Sequence, residues 1–292
     1  MADFPPEIWR QIALILYQHD RKHAVSLLQT HPSLAEIIRP ILYHIVVLHT
    51  REKVEEFLQN RPPSAFLGIR HLLLPSYTPH DRSLLTKCEN VENLCIKNTG
   101  ESDPYDIPSD GAVDPAPTQV TVVNSRWYEI PRISEHGVIK PSFVRSCTHL
   151  TLYWHDNLLP TLAKIGHLSH ICVWLDPRVI MNNEEKLTKA VTSFVAKKGK
   201  SFQFLVLYLK GSWYGASETI QGIIHGPPLA SELSDKLYRV AIVSRGSSYI
   251  GEWEWEEAAR EREKATIWEF ATKRLDIVKN WNSSSSARHS RR

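Results

Sequence analysis

The sequence lacks several features that would assign a chain to a class at once. It has no run of about 20 apolar residues, the length that a membrane-spanning helix requires, and its start lacks the basic and apolar segments of a secretory signal. Its 35 basic and 32 acidic side chains leave a formal charge of only +3, which gives no push toward nucleic acid. We therefore expect no membrane and no nucleic-acid partner, and a cytoplasmic or nuclear location, or both.

Cysteine is scarce as well, and its four positions show no paired spacing: Cys88, Cys95, Cys147 and Cys172. Cys95 and Cys172 lie inside apolar, strand-like runs, where a buried free thiol is the ordinary explanation. A chain of this kind suits a reducing compartment. We expect no disulfide framework.

Motifs for chemistry are also missing. The sequence contains no phosphate-binding loop, no dinucleotide fingerprint, no His-Glu-x-x-His pair and no nucleophile elbow. Its 14 histidines are scattered, and no Cys/His spacing predicts zinc. The acidic residues between 101 and 114 lack the spacing of a calcium loop. We therefore predict a protein that is not an enzyme and binds no metal or cofactor. An unrecognised enzyme on a small α/β sheet remains the most distant alternative.

What the sequence does have is apolar surface concentrated in its first 43 residues. Pro5 and Pro6 suit the first turn of a helix, where backbone N–H groups lack partners. Helical spacing then places four residues on one face, Ile8, Ile12, Ile15 and Leu16. The apolar surface extends further round this helix through Trp9, Ala13, Leu14 and Tyr17.

Two more helices are predicted in this segment. Asp20 can cap the second, which carries Ala24, Val25, Leu27 and Leu28. Pro32 can start the third, and Pro40 is expected to kink or end it. Its inward residues are predicted to be Leu34, Ile37, Ile38, Ile41 and Leu42. Three such short helices carry more apolar surface than they can bury against each other, which indicates a docking module.

The order of residues in this module resembles the F-box of large fungal families. Phe4-Pro5-Pro6-Glu7-Ile8 matches its opening, Leu27-Leu28 its central apolar positions, and Arg39-Pro40-Ile41-Leu42-Tyr43 its close. The family's usual Val-Ser-Arg/Lys-x-Phe/Trp element is replaced by residues 29–34. This departure bears on affinity for the adaptor more than on the fold.

The resemblance implies a function and its partners. An F-box binds a Skp-family adaptor and, through it, a cullin, so the chain would be the substrate receptor of an SCF-type ubiquitin ligase with a protein target. The implied adaptor contacts are Pro5, Pro6, Ile8, Ile12, Leu27 and Leu28. The alternative is an interaction scaffold without a ligase role, whose three helices only cap the following domain.

Residues 44–250 contain a recurring short strand of the form x-L-x-L. The predicted strands are 45–48, 71–74, 93–96, 149–152, 170–173, 204–207 and 239–242. Several spacings between them fall in the 20–29 residue period of leucine-rich repeats. Helical patterns between some strands, at Arg51–Leu58 and Asn183–Lys198, favour parallel strands with right-handed crossovers. The region resembles an irregular leucine-rich-repeat solenoid, and an ordinary α/β domain with a small parallel sheet explains the same leucines.

The remaining segments complete an α/β fold. Residues 97–120 are acidic and proline-rich and are predicted to be a disordered insertion, with extra strands at 120–123 and 127–130. Residues 251–281 predict a helix with an inner stripe of Trp268, Ala271, Leu275 and Val278, expected to cap the last repeat. Residues 282–292 predict a flexible basic tail. The domains are thus 1–43 and 44–250, followed by this helix and the tail.

Two patterns leave alternatives open. His71, His149 and His170 each directly precede an apolar strand residue, Leu72, Leu150 and Ile171. This predicts either a histidine ladder or simply a polar position before a buried one. Trp154 and Trp174 follow strands closely, and they are either exposed binding anchors or core residues.

Overall fold

The structure is a computed structural model. It describes residues 4–19, 21–28, 32–76, 79–98, 116–124, 147–154, 158–175, 177–199, 201–210, 239–245, 255, 268–269, 271–273 and 275. The chain divides into two compact units. Unit 1 comprises residues 1–129, 140–146 and 255–263, and unit 2 comprises residues 130–139, 147–254 and 264–292.

Unit 1 begins with the three predicted helices, α1 (Pro6–His19), α2 (Arg21–Leu28) and α3 (Pro32–Leu42). They pack against each other around Ala13, Ala24, Leu34, Ile38, Ile41 and Leu42. The inward residues predicted for α3 are therefore confirmed, with Ile37 packed at the edge of this core. The expectation that Pro40 could end α3 is wrong, because the helix continues through it to Leu42. Its end is closed by the Tyr43 and His44 N–H groups, which donate to the carbonyls of Arg39 and Ile41.

Four parallel strands follow in unit 1: β1 (Ile45–Val47), β2 (His71–Leu74), β3 (Asn93–Asn98) and β4 (Gln119–Asn124). They pair in chain order. Helices α4 (Arg51–Asn60) and α5 (Pro63–Leu67) connect β1 to β2, and α6 (Pro79–Lys87) connects β2 to β3. The Thr50 hydroxyl caps α4 by accepting from the Lys53 N–H, and α4 buries Val54 and Phe57 as predicted.

Unit 2 repeats this architecture with β5 (His149–Tyr153), β6 (His170–Leu175), β7 (Phe204–Lys210) and β8 (Val240–Arg245). These strands are also parallel and pair in chain order. Helix α7 (Leu158–Ala163) joins β5 to β6, and α8 (Pro177–Lys197) joins β6 to β7. Helix α8 begins earlier than predicted, and it buries the expected Leu187, Val191, Phe194 and Val195.

Strands β2 and β3 of unit 1 and strands β6 and β7 of unit 2 begin at the same kind of hydrogen-bonded corner. One carbonyl before a strand accepts two successive N–H groups from the start of the next strand. In unit 1, the His44 carbonyl accepts from Arg70 and His71, both at 3.0 Å. In unit 2, the Thr148 carbonyl accepts from Ser169 and His170, at 3.1 and 3.0 Å. At these corners the first residue of one strand is aligned with the first of its neighbour, as in Ile45 with His71 and His149 with His170.

The predicted α/β class with parallel strands is confirmed, as are the seven x-L-x-L strands and the strand at 120–123. Strands β3 and β4 reach into both ends of the predicted 97–120 insertion. The strand predicted at 127–130 and the tail at 282–292 lie outside the described residues. Within the ranges that are described, no helix has the length and apolar character needed to cross a membrane.

Candidate interaction surfaces

Helix α1 carries large apolar side chains on the side turned away from the three-helix core. Ile8 is 39% exposed and Ile15 is 54% exposed, whereas Ala13 of the same helix is fully buried. Phe4, just before α1, is 50% exposed and contacts Trp9 edge-to-face with ring centroids 5.6 Å apart. Exposed apolar residues on one helix face are typical of a surface that another protein covers. We call Phe4, Ile8, Ile12 and Ile15 the α1 face.

The other residues implied as adaptor contacts lie in different environments. Pro5 and Pro6 are exposed at the start of α1, and Ile12 is half-buried. Leu27 packs against the core of the three helices, so it supports the module from inside. Leu28 is the last residue of α2, and its side chain lies outside the described part of the structure. Phe4, Ile15 and the 40%-exposed Val25 are not among the implied contacts, although the spacing of Ile8, Ile12 and Ile15 places these three on one face.

The three helices are packed firmly onto the strands and helices that follow them in unit 1. Gly68, at the end of α5, lies so close to α3 that a Cβ atom there would be 2.9 Å from the Cα of Pro40. The rings of Tyr43 and Phe57 meet edge-to-face at 6.1 Å. Tyr17 of α1 packs against a cluster on the sheet face of unit 1. The α1 face is therefore carried by a well-anchored helix.

A tryptophan from the C-terminal region covers that sheet face of unit 1. Trp255 is buried against Ile45, Leu73, Cys95 and Val123, which are side chains from β1, β2, β3 and β4. Its indole N–H donates to the Oδ1 atom of Asn93 at 2.7 Å, and the bond is buried. The expectation that residues 251–281 cap the last repeat is therefore wrong for Trp255, which packs on the first four strands. The sequence pattern does not indicate which apolar surface Trp255 contacts.

The corresponding face of unit 2 has three rows of side chains in register across the strands. The first row is His149, His170 and Phe204, the middle row is Thr151, Cys172, Val206 and Ala241, and the third row is Tyr153, Trp174, Tyr208 and Val243. Alternate residues of a strand share one face, so all three rows lie on the same side. A row of smaller side chains thus runs between two rows rich in rings. We call this surface the trough.

The trough is occupied by a second piece of the C-terminal region. Ala271 and Leu275 are buried in the cluster that contains Cys172, Trp174 and Tyr208, and their spacing is that of one helix face. Trp268, half-buried, packs against the first row. Its ring centroid lies 5.2 Å from that of His149, 5.5 Å from that of His170 and 6.4 Å from that of Phe204.

The two histidines under Trp268 form a ladder. Their imidazoles are stacked with centroids 3.9 Å apart and planes inclined by 12°. The Nδ1 atom of each lies 2.8 Å from the hydroxyl of the preceding residue, Thr148 for His149 and Ser169 for His170. Burial lowers the pKa of His170 to about 4, helped by the neighbouring His149 and opposed by a hydrogen bond to the Gln203 side chain. Burial also lowers the pKa of His149, so both rings are neutral at pH 7.

The third histidine of the pattern lies in unit 1 and pairs differently. His71 meets His44 edge-on at 5.0 Å between ring centroids. Burial lowers the pKa of His71 to about 4, and the nearby His44 and Arg70 add to this shift. The ladder alternative is therefore confirmed only for His149 and His170.

Two indole N–H groups at the trough lack hydrogen-bond partners among the residues that the structure describes. The Nε1 atoms of Trp174 and Trp268 are both buried and unpaired. Trp154 and Trp174 are 8% and 4% exposed, so the alternative of core residues is confirmed for both. A buried donor without an acceptor costs free energy because it has given up its bond to water.

A buried lysine lies at the corner that precedes β7. The Lys198 ammonium donates to the carbonyl of Ile165 and lies 5.6 Å and 5.8 Å from the ring centroids of Phe194 and Phe202. Burial lowers the pKa of Lys198 to about 8. The rings and the carbonyl compensate part of the lost hydration of the charge.

The cysteines and candidate metal ligands offer little chemistry. All four cysteines are buried and none is in a disulfide, and burial raises the pKa of Cys88 and of Cys147 to about 12. Such thiols carry almost no nucleophilic thiolate at pH 7. No three His, Cys, Asp or Glu side chains are grouped to hold a metal ion in the portion of the chain that is described.

Comparisons of the chain with protein-family models, with curated proteins and with solved structures find no match.

Proposed function

We propose that this chain is the substrate receptor of an SCF-type cullin-RING ubiquitin ligase. The α1 face binds a Skp-family adaptor, which bridges the chain to a cullin, and the repeat units bind a protein target. The observation that carries the proposal is the exposure of Ile8 and Ile15 on a helix whose other side packs into the three-helix core through the fully buried Ala13. Apolar side chains of this size gain about 1.5–3 kcal/mol each when a partner covers them.

The sequence supports the adaptor as the partner. The exposed residues Phe4 and Ile8 belong to the opening of the F-box-like motif, and Pro5 and Pro6 between them are also exposed. The same stretch that resembles the family is thus accessible to a partner. Leu27 packs inward, so we expect adaptor affinity to depend on the α1 face much more than on Leu27.

The receptor performs no bond chemistry in this proposal. It holds a target close to a ubiquitin-loaded conjugating enzyme carried elsewhere in the assembly, and tethering raises the effective concentration of the target at the reaction centre. A well-anchored connection favours such a role. The contact between Gly68 and Pro40 and the packing of Tyr43 on Phe57 supply that connection within unit 1.

The test is a charge placed on the α1 face. In Ile8→Asp, we expect binding of a purified Skp-family adaptor to fall at least about 100-fold, because a carboxylate replaces an apolar contact at the interface. Leu67→Asp is the matched control, since Leu67 is 52% exposed on α5, outside the motif. It should bind the adaptor at wild-type strength. Wild-type binding by Ile8→Asp would refute the proposal.

The second candidate is an interaction scaffold without a ligase role, in which the three helices only cap the repeats. It is favoured by the packing of Tyr17 on the sheet face of unit 1. Deleting the helices would disturb the fold in either case, so a surface substitution separates the two candidates better. Under the scaffold reading, Ile8→Asp and Leu67→Asp should behave alike in every binding assay.

A further inference from the structure

We propose that the trough of unit 2 is a binding site for an amphipathic helix of a partner protein, and that the segment carrying Trp268, Ala271 and Leu275 occupies this site when the partner is absent. The partner helix carries an aromatic, a small and an aliphatic residue at positions i, i+3 and i+7. It also offers a carboxylate or amide oxygen to the buried indole N–H of Trp174. The inference deepens the proposed function, since it places target binding on a defined surface.

The shape of the trough selects this occupant. Its middle row holds the smaller side chains Thr151, Cys172, Val206 and Ala241, and its outer rows hold rings. A helix lying across the strands can place its small residue over that row and its larger residues toward the rings. The resident segment buries Ala271 completely in the cluster that contains Cys172, Val206 and Ala241, while Trp268 packs on the stacked His149 and His170.

The resident fits the trough imperfectly, and this indicates the chemistry of a better ligand. The Nε1 atoms of Trp174 and Trp268 are buried without an acceptor in the described ranges. In unit 1, by contrast, the indole N–H of Trp255 is satisfied by Asn93. A helix that supplies an oxygen to Trp174 recovers a hydrogen bond that the resident leaves unmade. It can therefore compete with the resident despite the advantage that the resident gains from being tethered.

The experiment measures competition for the trough in the full-length chain. The probe is a fluorescently labelled synthetic peptide with the sequence of residues 264–279, and its binding is followed by fluorescence anisotropy. We expect Trp268→Ala in the protein to tighten peptide binding at least about tenfold over wild type, because the resident then competes less well. Leu275→Ala should act in the same direction. Lys273→Ala is the matched control, since Lys273 is exposed on the same segment, and it should bind as wild type does.

The peptide tests the same surface from the other side. A probe with alanine in place of its tryptophan should lose most of its affinity for the Trp268→Ala protein. In a probe series with one residue at a time replaced by glutamine, at least one member should bind more tightly than the parent, because its amide oxygen reaches Trp174. Hydrogen exchange at residues 268–275 of the wild-type protein should quicken when the probe binds.

Several results would overturn the inference. Equal probe affinity for wild type, Trp268→Ala and Leu275→Ala means that the resident does not compete. Loss of the folded state in both variants, seen by circular dichroism, means that the segment is permanent core. If no probe of the glutamine series binds more tightly than the parent peptide, the partner helix does not supply an oxygen acceptor to Trp174, and that part of the inference is refuted. If adaptor binding depends on Ile8 but the resident does not compete with the probe, the proposed function stands and only this inference is refuted. If the resident competes but adaptor binding does not depend on Ile8, only the proposed function is refuted.

Discussion

The two units receive a tryptophan from the same C-terminal region and hold it in different ways. In unit 1, Trp255 is buried and its indole N–H donates to Asn93. In unit 2, Trp268 is half-buried on the rings of His149 and His170, and its N–H has no acceptor in the described part of the chain. One contact has a directional bond and the other has only packing. A directional buried bond fixes a single arrangement, whereas ring packing tolerates replacement by a similar shape.

The strongest test of this comparison replaces each tryptophan by phenylalanine. Trp255→Phe should cost about 3 kcal/mol of stability, because it shrinks a buried ring and leaves the Oδ1 atom of Asn93 buried without a donor. Trp268→Phe should cost about 1 kcal/mol or less, because the N–H that it removes is unpaired. Urea unfolding of the two variants measures both changes. Equal losses would show that the hydrogen bond to Asn93 does not distinguish the contacts.

The next largest expected difference between the units is in their stability at acidic pH. Burial lowers the pKa of His71 and of His170 from 6.5 to about 4, and lowers that of His149. Between pH 6.5 and about 4 the unfolded chain binds protons at these histidines and the folded chain does not. The stability that is present above pH 6.5 is therefore lost as the pH falls toward 4. The loss from pH 7 to pH 5 is at most about 2 kcal/mol for each ring shifted to about 4. Unit 2 contains two histidines with lowered pKa values, so its strands should unfold first as the pH falls.

Hydrogen-exchange protection, compared at β2 and at β5–β6, measures that order. His170→Phe should flatten the acid dependence at β5–β6 and leave β2 unchanged. Protection that falls equally in both sets of strands would contradict the assignment to the stacked pair.

Glycines offer a smaller contrast between the units. A Cβ atom at Gly68 would lie 2.9 Å from the Cα and 3.0 Å from the carbonyl oxygen of Pro40, both backbone atoms. Gly68→Ala should therefore cost about 1–2 kcal/mol through forced movement of α3. Gly166→Ala in unit 2 is the matched control, because nothing lies within 4 Å of its added Cβ. Thermal unfolding of the pair decides, and a Gly68 variant as stable as the Gly166 variant would mean that α3 moves freely.

The smallest expected effect concerns Lys198 in unit 2. Burial lowers its pKa from 10.5 to about 8, so between these values the unfolded chain binds a proton that the folded chain has released. This group therefore adds stability as the pH rises, by about 1 kcal/mol from pH 7 to pH 9. Buried thiols act in the opposite sense, so the informative quantity is the difference between wild type and Lys198→Met. That difference should change with pH in urea unfolding, and a constant difference would count against the lowered pKa.

The strands and the longer helices were predictable because their signals are local. Each strand leucine has its partner two residues away, as in Leu72 and Leu74, and the apolar stripe of α8 repeats at helical spacing. Short helices such as α5, with five residues, carry too few turns to show a period. The bond between Trp255 and Asn93 joins residues 162 positions apart. Nothing in the pattern of residues 251–281 indicates which apolar surface Trp255 or Trp268 contacts.

The candidate interaction surface likewise has parts that local sequence signals predict and parts that depend on how distant elements pack. The spacing of Ile8, Ile12 and Ile15 was sufficient to predict that they share one face of α1, but it grouped them with Leu16, which packs on the core. The inward position of Leu27 depends on how α2 packs beside its neighbours, which an apolar pair such as Leu27-Leu28 does not specify. The histidine ladder depends on the register of β5 and β6, because His149 and His170 stack only where these two strands begin side by side. The sequence does not specify that register.

The backbone hydrogen bonds at the start of the strands have a consequence for how such a chain can change over generations. Even across the long connections such a bond is present, from the Gln119 N–H to the Glu92 carbonyl and from the Leu205 N–H to the Arg239 carbonyl. Residues 99–118 and 211–239 separate neighbouring strands that nevertheless pair along six residues without a slip. Insertions and deletions in these connections can therefore accumulate while the sheet stays unaltered, leaving loop length free to diversify.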